Sequence, residues 1–150
     1  MPTPQLLGVC LLGAISLALF SRDARAVTGA HAQERVDQCR ALVDRQFKDR
    51  RAAANADAGR RKARIESHYN AREDRCFVLE IVTDTDATGA SGLTAPVEIQ
   101  ALWDASEHTQ YGWFKAFGPP GVAHTECFLQ ARACHGKEEW ERLIRPYMSE

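Results

Sequence analysis

Residues 6–20 read LLGVCLLGAISLALF, an apolar run of fifteen residues, and a small-x-small site, Ala24-Arg25-Ala26, follows close behind. This is the layout of a secretory signal peptide. It constrains the fold more than any other feature, because an exported chain folds where cysteines oxidise and pair. The run falls short of the roughly 18–20 apolar residues needed to span a bilayer, so it predicts a cleaved leader (residues 1–26) and no transmembrane anchor after processing. Residues 1–5 carry no Lys or Arg, which departs from the usual signal pattern. Ala30-His31-Ala32 offers an alternative cleavage after residue 32. Cys10 follows Val9, a poor match to a lipoprotein signal.

The remainder, residues 33–150, is about the size of one ordinary domain. Its charge is unevenly placed. Residues 35–75 hold 12 basic and 7 acidic side chains, whereas residues 76–150 hold 5 and 11. The halves are expected to attract each other, with their outer faces solvated. The sharper alternative is a basic half that contacts an anionic envelope component.

Val36, Cys39, Val43 and Phe47 recur at spacings of three and four, which predicts a helix from residue 33 to about 58 with one apolar stripe. The tract 50–64 presents no large apolar residue, so it is expected on the surface, with residues 60–66 as a short helix or charged linker. Residues 76–83 (CFVLEIVT) are β-branched, aromatic and apolar on both faces, as in a central strand. Residues 97–104, 110–117 and 126–130 read as three further strands, the second with Tyr111, Trp113 and Phe117 on one side and Phe114 on the other. Trp103 and Trp113 are expected to face each other in the core. Trp140, Leu143, Ile144 and Tyr147 mark one face of a closing helix, with Glu138 and Glu139 suited to its positive end. No internal repeat is apparent. The pattern predicts a disulfide-stapled α+β domain: an N-terminal helix, an about four-stranded, mostly antiparallel sheet, and a C-terminal helix packed on it.

Four cysteines follow the leader, and three pairings are possible. Cys127 and Cys134 are close in sequence, and their bond leaves Cys39 on the helix stripe to pair with Cys76 at the start of the first strand. On the loop-entropy relation these rings stabilise by about 2.5 and about 4 kcal/mol. The competing reading is a tetrahedral metal site from His124, Cys127, Cys134 and His135, but its spacing matches no strong zinc pattern, and no metal or other cofactor is expected. Asp84-x-Asp86-x-Thr88-Gly89 opens like a calcium loop but has Ala95 at the twelfth position, where a bidentate carboxylate is needed. Ser91 lacks the surroundings of a hydrolase nucleophile. Asp104, Glu107 and His108 fall in an expected hairpin turn.

Two groups remain as candidate binding residues. His68, Tyr69 and Asn70 form a polar-aromatic cluster beside Cys76, where Tyr69 is expected to pack on the sheet. Arg60, Arg61 and Lys62 form a compact cationic tract.

The segments His68-Tyr69-Asn70, Arg75-Cys76-Phe77-Val78, Leu102-Trp103-Asp104-Ala105 and Pro146-Tyr147-Met148-Ser149-Glu150, with the late Cys127 and Cys134, resemble a group of small exported bacterial proteins of unassigned function. The resemblance runs from Cys39 onward and implies export and paired cysteines, without an activity. The expectation is a periplasmic or secreted non-catalytic binding module of the bacterial cell envelope, whose partner is a protein or an anionic envelope component and not nucleic acid. Two alternatives are an inhibitor of a host or envelope hydrolase and a small envelope enzyme built on the His68/Asn70 region.

Overall fold

A computed structural model describes residues 20–56, 59–88, 94–119 and 122–149, without the side chains of 20–28 and 54–55. The leader's apolar run lies outside the described residues but for Phe20. The chain divides into two compact units, Met1–Glu34 and Arg35–Glu150. The described part of the first is the beginning of helix α1 (Phe20–Gln46), which contains both expected cleavage sites. The second holds the rest of α1, then α2 (Lys48–Ala56), strands β1 (Arg61–Asn70), β2 (Arg75–Thr88), β3 (Thr94–Asp104), β4 (Thr109–Phe117), β5 (His124–Leu129) and β6 (Arg132–Cys134), and helix α3 (Lys137–Met148).

The class is α+β with a helix at each end, as expected, but the sheet has six strands. Each strand pairs antiparallel with the next in sequence, in the order β1-β2-β3-β4-β5-β6. The added strands are β1 and β6. β1 replaces the expected helix or linker, and its ten residues pair with β2 from Arg61↔Asp84 to Asn70↔Arg75. Ala63, Ile65, Ser67 and Tyr69 alternate with Lys62, Arg64, Glu66 and His68, so the period is two after all, under a heavy load of charge. Charge on an edge strand discourages further pairing with other chains.

The sheet has a core on each face. On one, Cys39, Val43 and Phe47 of the helical stripe pack against Cys76, Val78 and Ala105, with Ile65, Tyr69 and Trp103 partly buried beside them. On the other, Trp140 and Ile144 of α3 cover Phe77, Leu79, Leu102, Phe114, Cys127 and Leu129. The helical hydrogen bonds Phe47 N–H to Val43 O (2.9 Å) and Arg51 N–H to Phe47 O (3.0 Å) carry α1 into α2. The Arg50 guanidinium then lies 4.6 Å from the Trp103 ring centroid and pairs with Glu80 at 2.6 Å. α2 thus holds the sheet by a cation over an aromatic face and by an ion pair.

Two hairpins share one local code. Asn70-Ala71-Arg72-Glu73-Asp74 and Asp104-Ala105-Ser106-Glu107-His108 each begin with an Asx residue after an aromatic one. In each, the Asx Oδ1 accepts the backbone N–H groups two and three residues on: Arg72 and Glu73 (both 3.1 Å), and Ser106 (2.8 Å) and Glu107 (3.2 Å). The loop's last residue is left-handed, with φ 51° at Asp74 and 55° at His108. This short echo escapes a search for long repeats.

β4 breaks the expected alternation. The register shifts between Leu102 and Trp103, so Tyr111 is an extra residue in the ladder. It joins the α3 face, 5.3 Å from Phe77 and 5.8 Å from Tyr147 between ring centroids. Trp103 therefore pairs with Gln110, and Trp113 with Ala101; the two tryptophans do not stand opposite each other. Gly112 is required, since a Cβ there would come within 2.5 Å of the Phe128 carbonyl oxygen.

Both expected disulfides are present. Cys39–Cys76 ties α1 to β2 across 5.3 Å between Cα atoms, and Cys127–Cys134 ties β5 to β6 across 5.2 Å. Their sequence separations of 37 and 7 set the expected order of effect. Replacing Cys39 and Cys76 with Ala should cost about 4 kcal/mol, and replacing Cys127 and Cys134 about 2.5 kcal/mol. Equilibrium denaturation of the two double variants checks this, and the reverse order would contradict it.

Candidate binding surfaces

The first candidate cluster is divided between the two faces of β1. Tyr69 packs against the α1 core, and its hydroxyl donates to Asp74 Oδ1 at 2.6 Å. That bond to a carboxylate, followed by burial, raises the Tyr69 pKa. Asp74 in turn holds Arg35 of α1 at 3.1 Å. Asn70 points to the other face and is 1% exposed. Its Oδ1 serves the turn as described above, and its Nδ2 donates to the Pro146 carbonyl at 2.7 Å. Asn70 therefore clamps the β1–β2 turn to the last turn of α3. His68 is half-buried on the same strand. The geometry gives Tyr69 and Asn70 scaffold duties.

Beyond Asn70, Arg75 donates to Asp104 at 2.6 Å and to the Tyr111 hydroxyl at 2.8 Å, and pairs with Glu107 at 3.1 Å. Asp104 has no exposed surface. Burial raises the Tyr111 pKa, partly offset by Arg75. This cluster joins the feet of both repeated turns. Nothing in the sequence marks Arg75 for this role, because an arginine at the start of a strand carries no signal of its own.

Arg60 precedes β1 and Arg61 and Lys62 open it, all three exposed. Arg60 sits 3.4 Å from Asp84. With Arg50–Glu80 and Arg75–Asp104, this pair joins the basic half of the sequence to the acidic half, which accounts for part of the charge asymmetry internally. Of the alternative metal set, Cys127 and Cys134 are bonded to each other and His124 contacts Glu126 at 3.2 Å.

Two features were not legible in the sequence. The first is a part of the sheet that none of the described helices covers. α1 and α2 lie over β1, β2 and the end of β3, but Ile99, Trp113 and Phe128 continue the same face beyond them. Ala101↔Trp113↔Phe128 form one cross-strand row, and Ile99↔Lys115↔Glu126 form the next. Ile99 and Phe128 are 38% and 39% exposed, and Trp113 is half-buried. Large apolar residues in adjoining rows, flanked by Lys115 and Glu126, have the layout of a recognition surface: an apolar centre with a charged rim.

The second is a cleft of about 540 Å³ on the opposite face, beyond the start of α3. A chain of polar bonds leads to it. Trp140 Nε1 donates to Gln100 Oε1 (2.7 Å), Gln100 Nε2 donates to Glu98 Oε1 (2.6 Å), and Lys137 Nζ reaches both Glu98 oxygens (2.8 and 2.9 Å). Burial pushes the Glu98 pKa up, but the bonds from Lys137 and Gln100 outweigh it and hold it below the usual carboxylate value. At α3 itself, Glu139 accepts the His135 backbone N–H at 2.9 Å and is likewise held low, by that bond first.

Comparison with protein families, curated proteins and solved structures finds no match for the chain.

A lowered carboxylate pKa makes the folded state bind the Glu98 proton more weakly than the unfolded state. Its stabilising effect is therefore complete above the unfolded pKa of about 4.3 and is lost as pH falls through the lower folded value. Glu98→Gln should flatten the decline in unfolding free energy below about pH 4.3. Identical acid limbs for both proteins, measured by urea titration, would show that the Lys137–Glu98–Gln100 chain does not couple to folding.

Proposed function

We propose that the chain is an exported, non-catalytic binding module of the bacterial cell envelope, periplasmic or secreted, and that it recognises a protein partner through Ile99, Trp113 and Phe128. The observation that carries this reading is that Ile99 and Phe128 are exposed and Trp113 is half-buried on one stretch of sheet that no described helix covers. Aromatic anchors in such a setting dominate protein interfaces, because they remove large apolar areas from water at little entropic cost. The two disulfides support an oxidising location. The Asn70 bonds favour binding over an enzyme built on the His68/Asn70 region, since both ends of that amide already serve the fold.

The test is affinity capture from envelope extract by the wild type and by Trp113→Asp and Phe128→Asp, with all three melting temperatures recorded. A partner held by the wild type should be lost by both variants while each still melts cooperatively. A partner retained equally by both would show that this face is not the binding surface.

A further inference from the structure

The cleft lies on the face opposite the proposed protein-binding surface and is independent of that reading. One cross-strand row forms its floor: Thr83 on β2, Glu98 on β3, Ala116 on β4 and Thr125 on β5. The previous row, Gln100–Phe114–Cys127, is covered by Trp140, whose ring stacks on Phe114 at 6.4 Å between centroids. α3 begins at Lys137, beside Glu98, so the helix stops one row short and leaves the floor open. Ala116 at the centre supplies the depth, and Pro96 and Ala123 form apolar walls.

The charges at this site already have partners. Glu98 is held through both oxygens by Lys137, and Asp84 is paired with Arg60 at 3.4 Å. A charged ligand head would lose its hydration without gaining a free counter-charge among the described residues that line the cleft. The apolar walls and the hydroxyls of Thr83 and Thr125 at the ends of the floor suit a different occupant. A volume of about 540 Å³ falls in the range of small-molecule sites. We infer that this cleft binds an uncharged amphiphile, with a hydrocarbon body and a hydroxyl or carbonyl head.

Titration of the ¹⁵N-labelled full chain with 1-octanol, 1-hexanol, octanoate and octylammonium, below their aggregation limits, tests this. Octanol should produce saturable amide shifts at Phe114, Ala116 and Thr125. Each methylene removed should weaken binding about fourfold, and either charged head should weaken it about tenfold or more. Ala116→Phe fills the floor and should abolish the shifts. Thr125→Phe fills it from the side and decides the matter if the first variant does not fold. Non-saturable shifts, shifts centred on Trp113 and Phe128, or unchanged octanol affinity in the folded filling variants would overturn the site. Octanoate or octylammonium binding as tightly as octanol would overturn the uncharged class.

Discussion

A carboxylate with no exposed surface needs a cation and hydrogen-bond donors, and Asp104 finds all of them at the meeting point of two hairpins. One oxygen takes the Arg75 guanidinium, and the other takes the backbone N–H groups of its own turn. Arg75 opens β2, directly after the first repeated turn, while Asp104 closes β3 and starts the second. A buried charge left without its partner is strongly unfavourable, so this pair fixes how the two turns lie against each other. The rings of Phe77, Tyr111 and Tyr147 meet edge to face beside it, and Asn70 fastens the end of α3 to the same corner. The disulfide Cys39–Cys76 secures the opposite face one residue further along β2.

Much of this arrangement could be read from periodicity and chemistry. The stripe Val36, Cys39, Val43, Phe47 marked a buried helix face, and a cysteine on that stripe had a natural partner at the start of the most apolar strand. The α3 face was equally plain in Trp140, Leu143, Ile144 and Tyr147. β1 was missed because Ile65 is its only large aliphatic residue, and Arg61, Lys62 and Arg64 hide a period of two beneath charge. β6, at three residues, is too short to show any period. Tyr111 was placed on the wrong face because a bulge cannot be seen in one strand alone.

The candidate sites were less legible for a physical reason. Ile99, Trp113 and Phe128 look like core residues in the sequence, since a strand pattern reports which side chains share a face and not whether a helix covers them. Only the extent of α1 and α2 over the sheet separates Trp103, beneath Arg50, from Trp113, beyond it. The cleft likewise depends on where α3 begins relative to one row of the sheet. The polar residues that drew attention in sequence, Tyr69 and Asn70, are engaged in holding turns and helix ends.

Among the described residues both faces of the sheet are therefore covered unevenly, and we propose that a partner binds the row of Trp113 and Phe128 together with Ile99 beside it. Carbene footprinting of the protein in the presence and absence of envelope extract tests this most directly. Without extract, labelling should be strong at Phe128 and Trp113 and weak at the buried Trp140. With extract, the labels on Phe128, Trp113 and Ile99 should fall together. Protection confined to β1 or to α3, with Phe128 and Trp113 labelled as before, would contradict it.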